Sequence, residues 1–158
     1  MKKNQVHIYT FPHQQLPTAP IIQLTDVETN KITRLPKERQ QQYKQSRYLI
    51  RHILQTYGDH NVFYHPSGKP DLFNSPLTFS ITHTQTTWAF AIMHAHSIGI
   101  DMQFSPPQHI TRFASKYPHL AHRPIDDFLH EWKTTEAYCK CAQKPLLSTL
   151  RTPIYPRI

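Results

Sequence analysis

The stretch Ser97-Ile-Gly-Ile-Asp101-Met-Gln103-Phe104 is the starting point for interpreting the chain. Alternate residues of a strand point to opposite faces, so this stretch predicts a strand with one apolar face. Its other face would carry Gly99, Asp101 and Gln103. The Asp101 carboxylate and the Gln103 amide would lie roughly 6–7 Å apart and could share a hard cation such as Mg²⁺. On spacing alone, a half-exposed edge strand with its polar face in water is the simpler explanation.

The length and composition favour one domain that binds an anionic partner. The chain has 158 residues and a formal net charge of +8, which suits a nucleic acid, a phosphorylated cofactor or an acidic protein. Charge is the only argument for nucleic acid, because no nucleic-acid-binding motif is present, and we do not expect that partner. No apolar run approaches the roughly 18 residues of a membrane helix, and the N-terminus does not resemble a signal peptide. We therefore expect a cytoplasmic protein with no membrane partner.

Hydrophobic periodicity predicts an α+β fold. The predicted strands span residues 6–11, 62–64, 77–83, 88–93 and 98–104, and the predicted helices span 36–57, 110–117 and 124–143. The strand at 88–93 is almost wholly apolar, which indicates a central position in a sheet. We expect the strands between residues 62 and 104 to form a mostly antiparallel meander.

The sequence alone does not decide the roles of three charged residues on the predicted helices. Arg47 and Arg51 are four residues apart, and they would form either a solvated helix face or a clamp for phosphate. Glu136 falls on an apolar stripe with Ile125, Phe128, Leu129, Trp132 and Cys139. A buried carboxylate needs a cation, and Lys140, one turn further on, could supply it as an ordinary ion pair.

Four segments, in order along the chain, carry a family resemblance. They are Arg47-Tyr-Leu-Ile-Arg51, Gly68-Lys69-Pro70-Asp-Leu72, Phe79-Ser-Ile-Thr82-His83-Thr84, and Gly99-Ile-Asp101 with Trp132-Lys-Thr-Thr-Glu136-Ala137-Tyr-Cys-Lys140. From about residue 35 to 147 the chain resembles the 4′-phosphopantetheinyl transferases of the surfactin-synthetase-activating type. The resemblance implies an enzyme that uses Mg²⁺ to transfer the phosphopantetheine arm of coenzyme A to a serine of an acyl or peptidyl carrier protein. The other product is 3′,5′-ADP.

The resemblance also assigns roles to individual residues. Asp101 and Glu136 would be the catalytic pair and would hold the metal, with Gln103 at a third ligand position. Glu136, or a water that it orients, would accept the proton of the attacking serine. The residues expected to bind coenzyme A are Arg47, Arg51, Lys69, Thr82, His83 and Lys140.

The fold implied by the resemblance is a single transferase-like domain over residues 1–158. An antiparallel sheet packed on a long helix would occupy residues 1–104, and a shortened, mainly helical second half would occupy 105–158. Only 22 residues follow Glu136, so we expect that a homo- or hetero-oligomeric partner covers this half.

Two departures from the family pattern leave a second interpretation open. Gln103 stands where many members carry an acid, and Thr135 stands where the family has a lysine. The alternative is a catalytically degenerate member that binds coenzyme A or a carrier protein as an adaptor or partner subunit.

Overall fold

The fold is a mixed α+β arrangement of small antiparallel sheets and helices. A computed structural model describes residues 5–16, 23–59, 61–65, 68–103, 117 and 124–151. The strands are β1 (Val6–Pro12), β2 (Val62–Tyr64), β3 (Pro70–Leu72), β4 (Leu77–His83) and β5 (Thr87–His94). The helices are α1 (Asp26–Ile32), α2 (Lys37–Gln55), α3 (Ile125–Ala142) and α4 (Leu146–Thr149), with a 3-10 turn at His13–Gln15.

The larger sheet has three antiparallel strands in the order β1–β5–β4. Val6 of β1 pairs with Met93, and His83 of β4 pairs with Trp88. The central strand β5 is buried from Trp88 to Ile92, which confirms the position predicted from its apolar sequence. The predictions of strands at 6–11 and 77–83 are confirmed as well.

The predicted meander between residues 62 and 104 is present only in part: β4 and β5 pair antiparallel, but β2 does not join them. β2 pairs with β3, a strand that the sequence did not predict, in a separate two-stranded sheet. The chain turns back sharply after β2, where the amide of Gly68 donates to the carbonyl of His65 and the amide of His65 donates to the carbonyl of Lys69. Gly68 has a φ of +83°, a conformation that favours glycine. β2 therefore pairs locally with β3 and is not part of the larger sheet.

The main core lies between α2 and one face of the larger sheet. The long helix begins after Pro36, as predicted, and its Ile50, Ile53 and Leu54 are at most 3% exposed. They belong to the same buried cluster as Phe79 and Phe90, whose rings stack 5.1 Å apart. Burying each of these side chains contributes about 1.5–3 kcal/mol, so this cluster fixes the sheet against α2.

Residues 97–103 do not form the strand predicted for residues 97–104. This segment has no ladder hydrogen bonds; side chains of β4 hold it instead. The amide of Ile100 donates to Ser80 Oγ at 3.2 Å, and the hydroxyl of Thr78 donates to the carbonyl of His96. The segment therefore crosses a face of β4 rather than extending its edge. Phe104 lies outside the described residues.

The helix α3 packs directly on this crossing segment. A Cβ atom placed on Gly99 would lie 1.9 Å from the carbonyl oxygen of Ala137 and 2.7 Å from the amide nitrogen of Cys141. Only a glycine leaves room for the helix backbone at this distance. α3 has the predicted bounds to within a residue, but Ile125 is 44% exposed and does not join the apolar stripe.

A smaller core packs the N-terminal half of α3 against α4. Phe128 and Leu150 are buried together with Tyr117. The rest of the helix predicted at 110–117 lies outside the described residues. Within the described ranges, no helix is both long and apolar enough to cross a membrane.

Candidate functional site

The site is built where the segment 97–103 lies between β4 and α3. The side chain of Asp101 is only 6% exposed. Thr82, which is buried on β4, donates its hydroxyl to Asp101 Oδ1 at 3.0 Å. Gln103 is half-buried at the end of the same segment. The carboxylate of Asp101 is therefore held in a fixed orientation toward α3.

Lys140 of α3 joins the two candidate carboxylates. Its Nζ lies 2.7 Å from Asp101 Oδ1 and 3.5 Å from Glu136 Oε1. It also donates to the carbonyl of Ile100 at 3.2 Å and lies 3.4 Å from Thr82 Oγ1. The ion pair between Glu136 and Lys140, left open by the sequence, is thus present. Lys140 has a second carboxylate partner that helix spacing could not reveal.

Glu136 is also held by an indole. Trp132 Nε1 donates to Glu136 Oε2 at 3.1 Å, one helical turn away. The side chain of Glu136 is 30% exposed, so solvent or a substrate hydroxyl can reach it. One carboxylate oxygen is directed by Trp132 and the other faces Lys140. The side chain is therefore oriented but accessible.

His83 lies at the end of β4, close to several other charged or titratable groups. Desolvation by the atoms around its ring lowers the pKa of His83, and the nearby His13, Lys140 and Arg39 lower it further, whereas Asp101 raises it. The ring stacks on Trp88 with centroids 4.4 Å apart. His83 is therefore a neutral donor or acceptor at neutral pH.

Lys69 reaches the same site from the β2–β3 turn. It lines a cavity of about 350 Å³ together with Glu136 and Lys140. The other lining residues come from the end of α3 and the start of α4: Cys139, Gln143, Lys144, Pro145 and Leu146. The turn is attached to α3 through His65, whose Nε2 lies 3.2 Å from Gln143 Nε2. Three lysines thus line the cavity together with polar and apolar side chains.

Arg47 and Arg51 have a different partner, the buried carboxylate of Glu28. Glu28 is 1% exposed and lies 2.5 Å from Arg51 Nη2 and 3.6 Å from Arg47 Nε. Arg47 is buried, with its guanidinium 4.3 Å from the centroid of the Tyr43 ring and 4.8 Å from that of Tyr64. For Arg47, the solvated helix face considered above is therefore wrong. Both cations already serve an internal ion pair.

The Glu28 network also fixes α1, which the sequence did not predict. Thr25 caps this helix by accepting from the amide of Glu28, and Glu28 Oε2 accepts from the amide of Thr25 at 2.9 Å. Burial alone would raise the pKa of Glu28. Hydrogen bonds from Arg51, the Tyr64 hydroxyl and Thr25, together with the charge of Arg51, more than offset it, so the pKa is lowered. Burial raises the pKa of the Tyr64 hydroxyl.

Two further cations near the site were missed by sequence reasoning. Arg39 lies close enough to His83 to lower its pKa. Lys31 Nζ lies 3.0 Å from the position that a Cβ on Gly68 would take, beside the turn that carries Lys69. Neither residue belongs to a recognisable motif. Only the tertiary structure brings Arg39 near His83 and Lys31 near the turn.

The donor set at the site suits one cation held by two acidic side chains. Asp101 and Glu136 approach a single nitrogen atom from two segments, and the surrounding atoms are oxygens, which hard cations prefer. Among the residues that the structure describes, no three His, Cys, Asp or Glu side chains cluster as a metal site. Asp101 and Glu136 would therefore be the only acidic ligands that these residues offer.

Comparison with known proteins gives no assignment, because neither a family model nor a curated protein matches this chain.

Proposed function

We propose that this chain is a 4′-phosphopantetheinyl transferase-like enzyme that transfers the phosphopantetheine arm of coenzyme A to a serine of a carrier protein. The observation that carries the proposal is the meeting of Asp101, Glu136 and Lys140 at one point. These three residues come from two motifs almost 40 positions apart, and Thr82 and Lys69 of two further motifs lie beside them. An ordinary helix ion pair would not require residues of three of the four family segments to converge; the remaining segment, Arg47–Arg51, lies at Glu28.

The side chains can perform this transfer as follows. The carrier serine oxygen attacks the β-phosphorus of coenzyme A, and the bond between that phosphorus and the bridging oxygen breaks to release 3′,5′-ADP. Glu136, oriented by Trp132, accepts the serine proton directly or through a water. Lys69 and Lys140 supply positive charge for the phosphates, and neutral His83 offers a hydrogen bond.

Asp101 and Glu136, with Gln103 as an uncharged third donor, would hold Mg²⁺, which would neutralise charge on the leaving group. The formal charge of +8 would steer an acidic carrier protein to the enzyme. The binding of coenzyme A by Arg47 and Arg51 stays a prediction, because both contact the single carboxylate of Glu28, which offsets only one of their two positive charges.

The decisive experiment is mass spectrometry of an apo carrier protein incubated with this chain, coenzyme A and Mg²⁺. We expect the carrier to gain the mass of one phosphopantetheine arm. Glu136→Gln should slow transfer by roughly 10²–10⁴-fold, the usual contribution of a general base. Glu38→Gln, the same change at an exposed position on α2, is the matched control and should leave the rate unchanged.

The adaptor is the second candidate, and one observation favours it. The ammonium of Lys140 already neutralises part of the charge of Asp101 and Glu136, and Gln103 adds none. Clear binding of coenzyme A with no mass gain on several carriers would support the adaptor and reject the enzyme. If neither coenzyme A nor a carrier protein binds, both candidates are wrong.

A further inference from the structure

The Nζ atom of Lys140 has four oxygen neighbours from three different segments. They are Asp101 Oδ1 at 2.7 Å, the Ile100 carbonyl at 3.2 Å, Thr82 Oγ1 at 3.4 Å and Glu136 Oε1 at 3.5 Å. A carboxylate, a second carboxylate, a carbonyl and a hydroxyl are also the groups that bind hard cations in proteins. The groups around the ammonium are therefore of the same types as those that bind a metal ion.

The distances from Lys140 Nζ to these oxygens show that the present arrangement fits an ammonium rather than Mg²⁺. The two shortest are hydrogen-bonding distances for an ammonium, and all four are longer than the about 2.0–2.1 Å at which Mg²⁺ holds its oxygens. Asp101 and Glu136 carry two negative charges against the single positive charge of Lys140. The carboxylates therefore still attract positive charge, but the space between them is taken.

The side chain of Lys140 can also turn away from the carboxylates into the adjacent cavity. Its side chain is 27% exposed and lines the cavity of about 350 Å³ that it shares with Lys69. A four-carbon stem with a strongly hydrated end group can turn into that cavity without moving the helix. An anion bound beside Lys69 would attract the ammonium in that direction.

We propose that Lys140 is a built-in cation that competes with a divalent metal for Asp101 and Glu136. The ammonium and the metal occupy the same space between these carboxylates, so a divalent ion binds only when Lys140 withdraws toward the cavity. The inference rests on the metal site of the proposed function. It adds that Lys140, a residue of the site itself, blocks metal binding in the resting state.

The test is a titration of the full chain with Mn²⁺ alone, without coenzyme A, followed by calorimetry or by the spin resonance of free Mn²⁺. We expect Lys140→Met to bind Mn²⁺ at least tenfold more tightly than the wild type, since the competitor has been removed. Lys133→Met, the same change on the same helix, should bind like the wild type. Adding Asp101→Asn to Lys140→Met should remove the gain.

Lys140→Gln is a second variant for the case in which Lys140→Met does not fold, because the glutamine amide can still donate a hydrogen bond to Asp101. It too should bind Mn²⁺ more tightly than the wild type, and Mn²⁺ should raise its melting temperature more than that of the wild type. Equal affinity of Lys140→Gln and the wild type would overturn the inference. So would an equal gain in Lys133→Met, because the effect would then come from net charge alone.

These outcomes are separate from those of the transfer assay. A gain in Mn²⁺ affinity without any transfer would support the competition and reject the enzyme. Transfer by the wild type, without a gain in either Lys140 variant, would support the enzyme and reject the competition.

Discussion

Replacing Gly99 by alanine tests whether close contact between α3 and the segment 97–103 builds the site. The new Cβ would lie 1.9 Å from the carbonyl oxygen of Ala137, about 1.5 Å short of the 3.4 Å at which ordinary contact begins. The opposing atoms belong to the helix backbone and cannot rotate away. Overpacking of this kind costs about 1–3 kcal/mol, and we expect about 3 kcal/mol here because neither side can yield locally.

The same change should affect the site through Lys140. If α3 moves by about 1.5 Å, Lys140 moves with it and loses the 2.7 Å contact with Asp101. Misplacement by about 1 Å can reduce a rate by about 100-fold. We therefore expect transfer to fall by about that factor, even under conditions in which the Gly99→Ala variant is still fully folded.

The assay combines urea unfolding with the transfer rate, and Gly58→Ala is the control. A Cβ on Gly58 would have no atom within 4 Å, but its φ of +71° makes alanine unfavourable there by about 1–2 kcal/mol. Gly58→Ala should therefore lose stability but keep transfer. An unchanged stability and rate in Gly99→Ala would refute the close contact.

Two further predictions concern stability. Glu28→Gln should lower the free energy of unfolding in urea by about 3–5 kcal/mol, because it leaves buried Arg47 without a counter-ion, whereas exposed Glu38→Gln should change it little. The free energy of unfolding should also fall as the pH drops below 6.5, because the lowered pKa values of His13 and His83 let the unfolded chain bind protons first. This contribution is fully present above pH 6.5 and is lost as the pH falls through the folded-state values. Urea unfolding between about pH 7.5 and 5 should therefore show a shallower decline in His83→Asn, and an equal decline would refute this cause.

Much of the fold follows from local sequence patterns. The long helix after Pro36, the helix after Pro124 and the strands β1, β4 and β5 all lie where periodicity predicts them. Each has a continuous pattern of at least six residues and a clear start or stop signal. β3 was missed because it begins with Pro70 and Asp71, two residue types that are depleted in strands, whereas the equally short β2 is Val-Phe-Tyr.

The chemical types at the site were also predictable, but their partners were not. Asp101, Glu136 and Lys140 were chosen from motifs, and the structure brings all three together. For Arg47 and Arg51, the sequence offered only a solvated face or a phosphate clamp. Their partner is Glu28, which lies in α1, a helix that the sequence did not predict.

The stretch from Ser97 to Phe104 shows what a sequence pattern cannot predict. Its alternation placed Gly99, Asp101 and Gln103 on one side and predicted a strand. The alternation of apolar and polar residues shows which side chains share a face. It does not show which groups form hydrogen bonds with the backbone. Here a side chain of β4 forms a hydrogen bond with the backbone of this stretch, and the backbone of α3 packs against Gly99. The sequence by itself determined which residues could hold charge and where the helices and main strands begin. The packing of α3 on Gly99 decided which of those charges meet, because contacts between residues some 40 positions apart leave no period in the sequence.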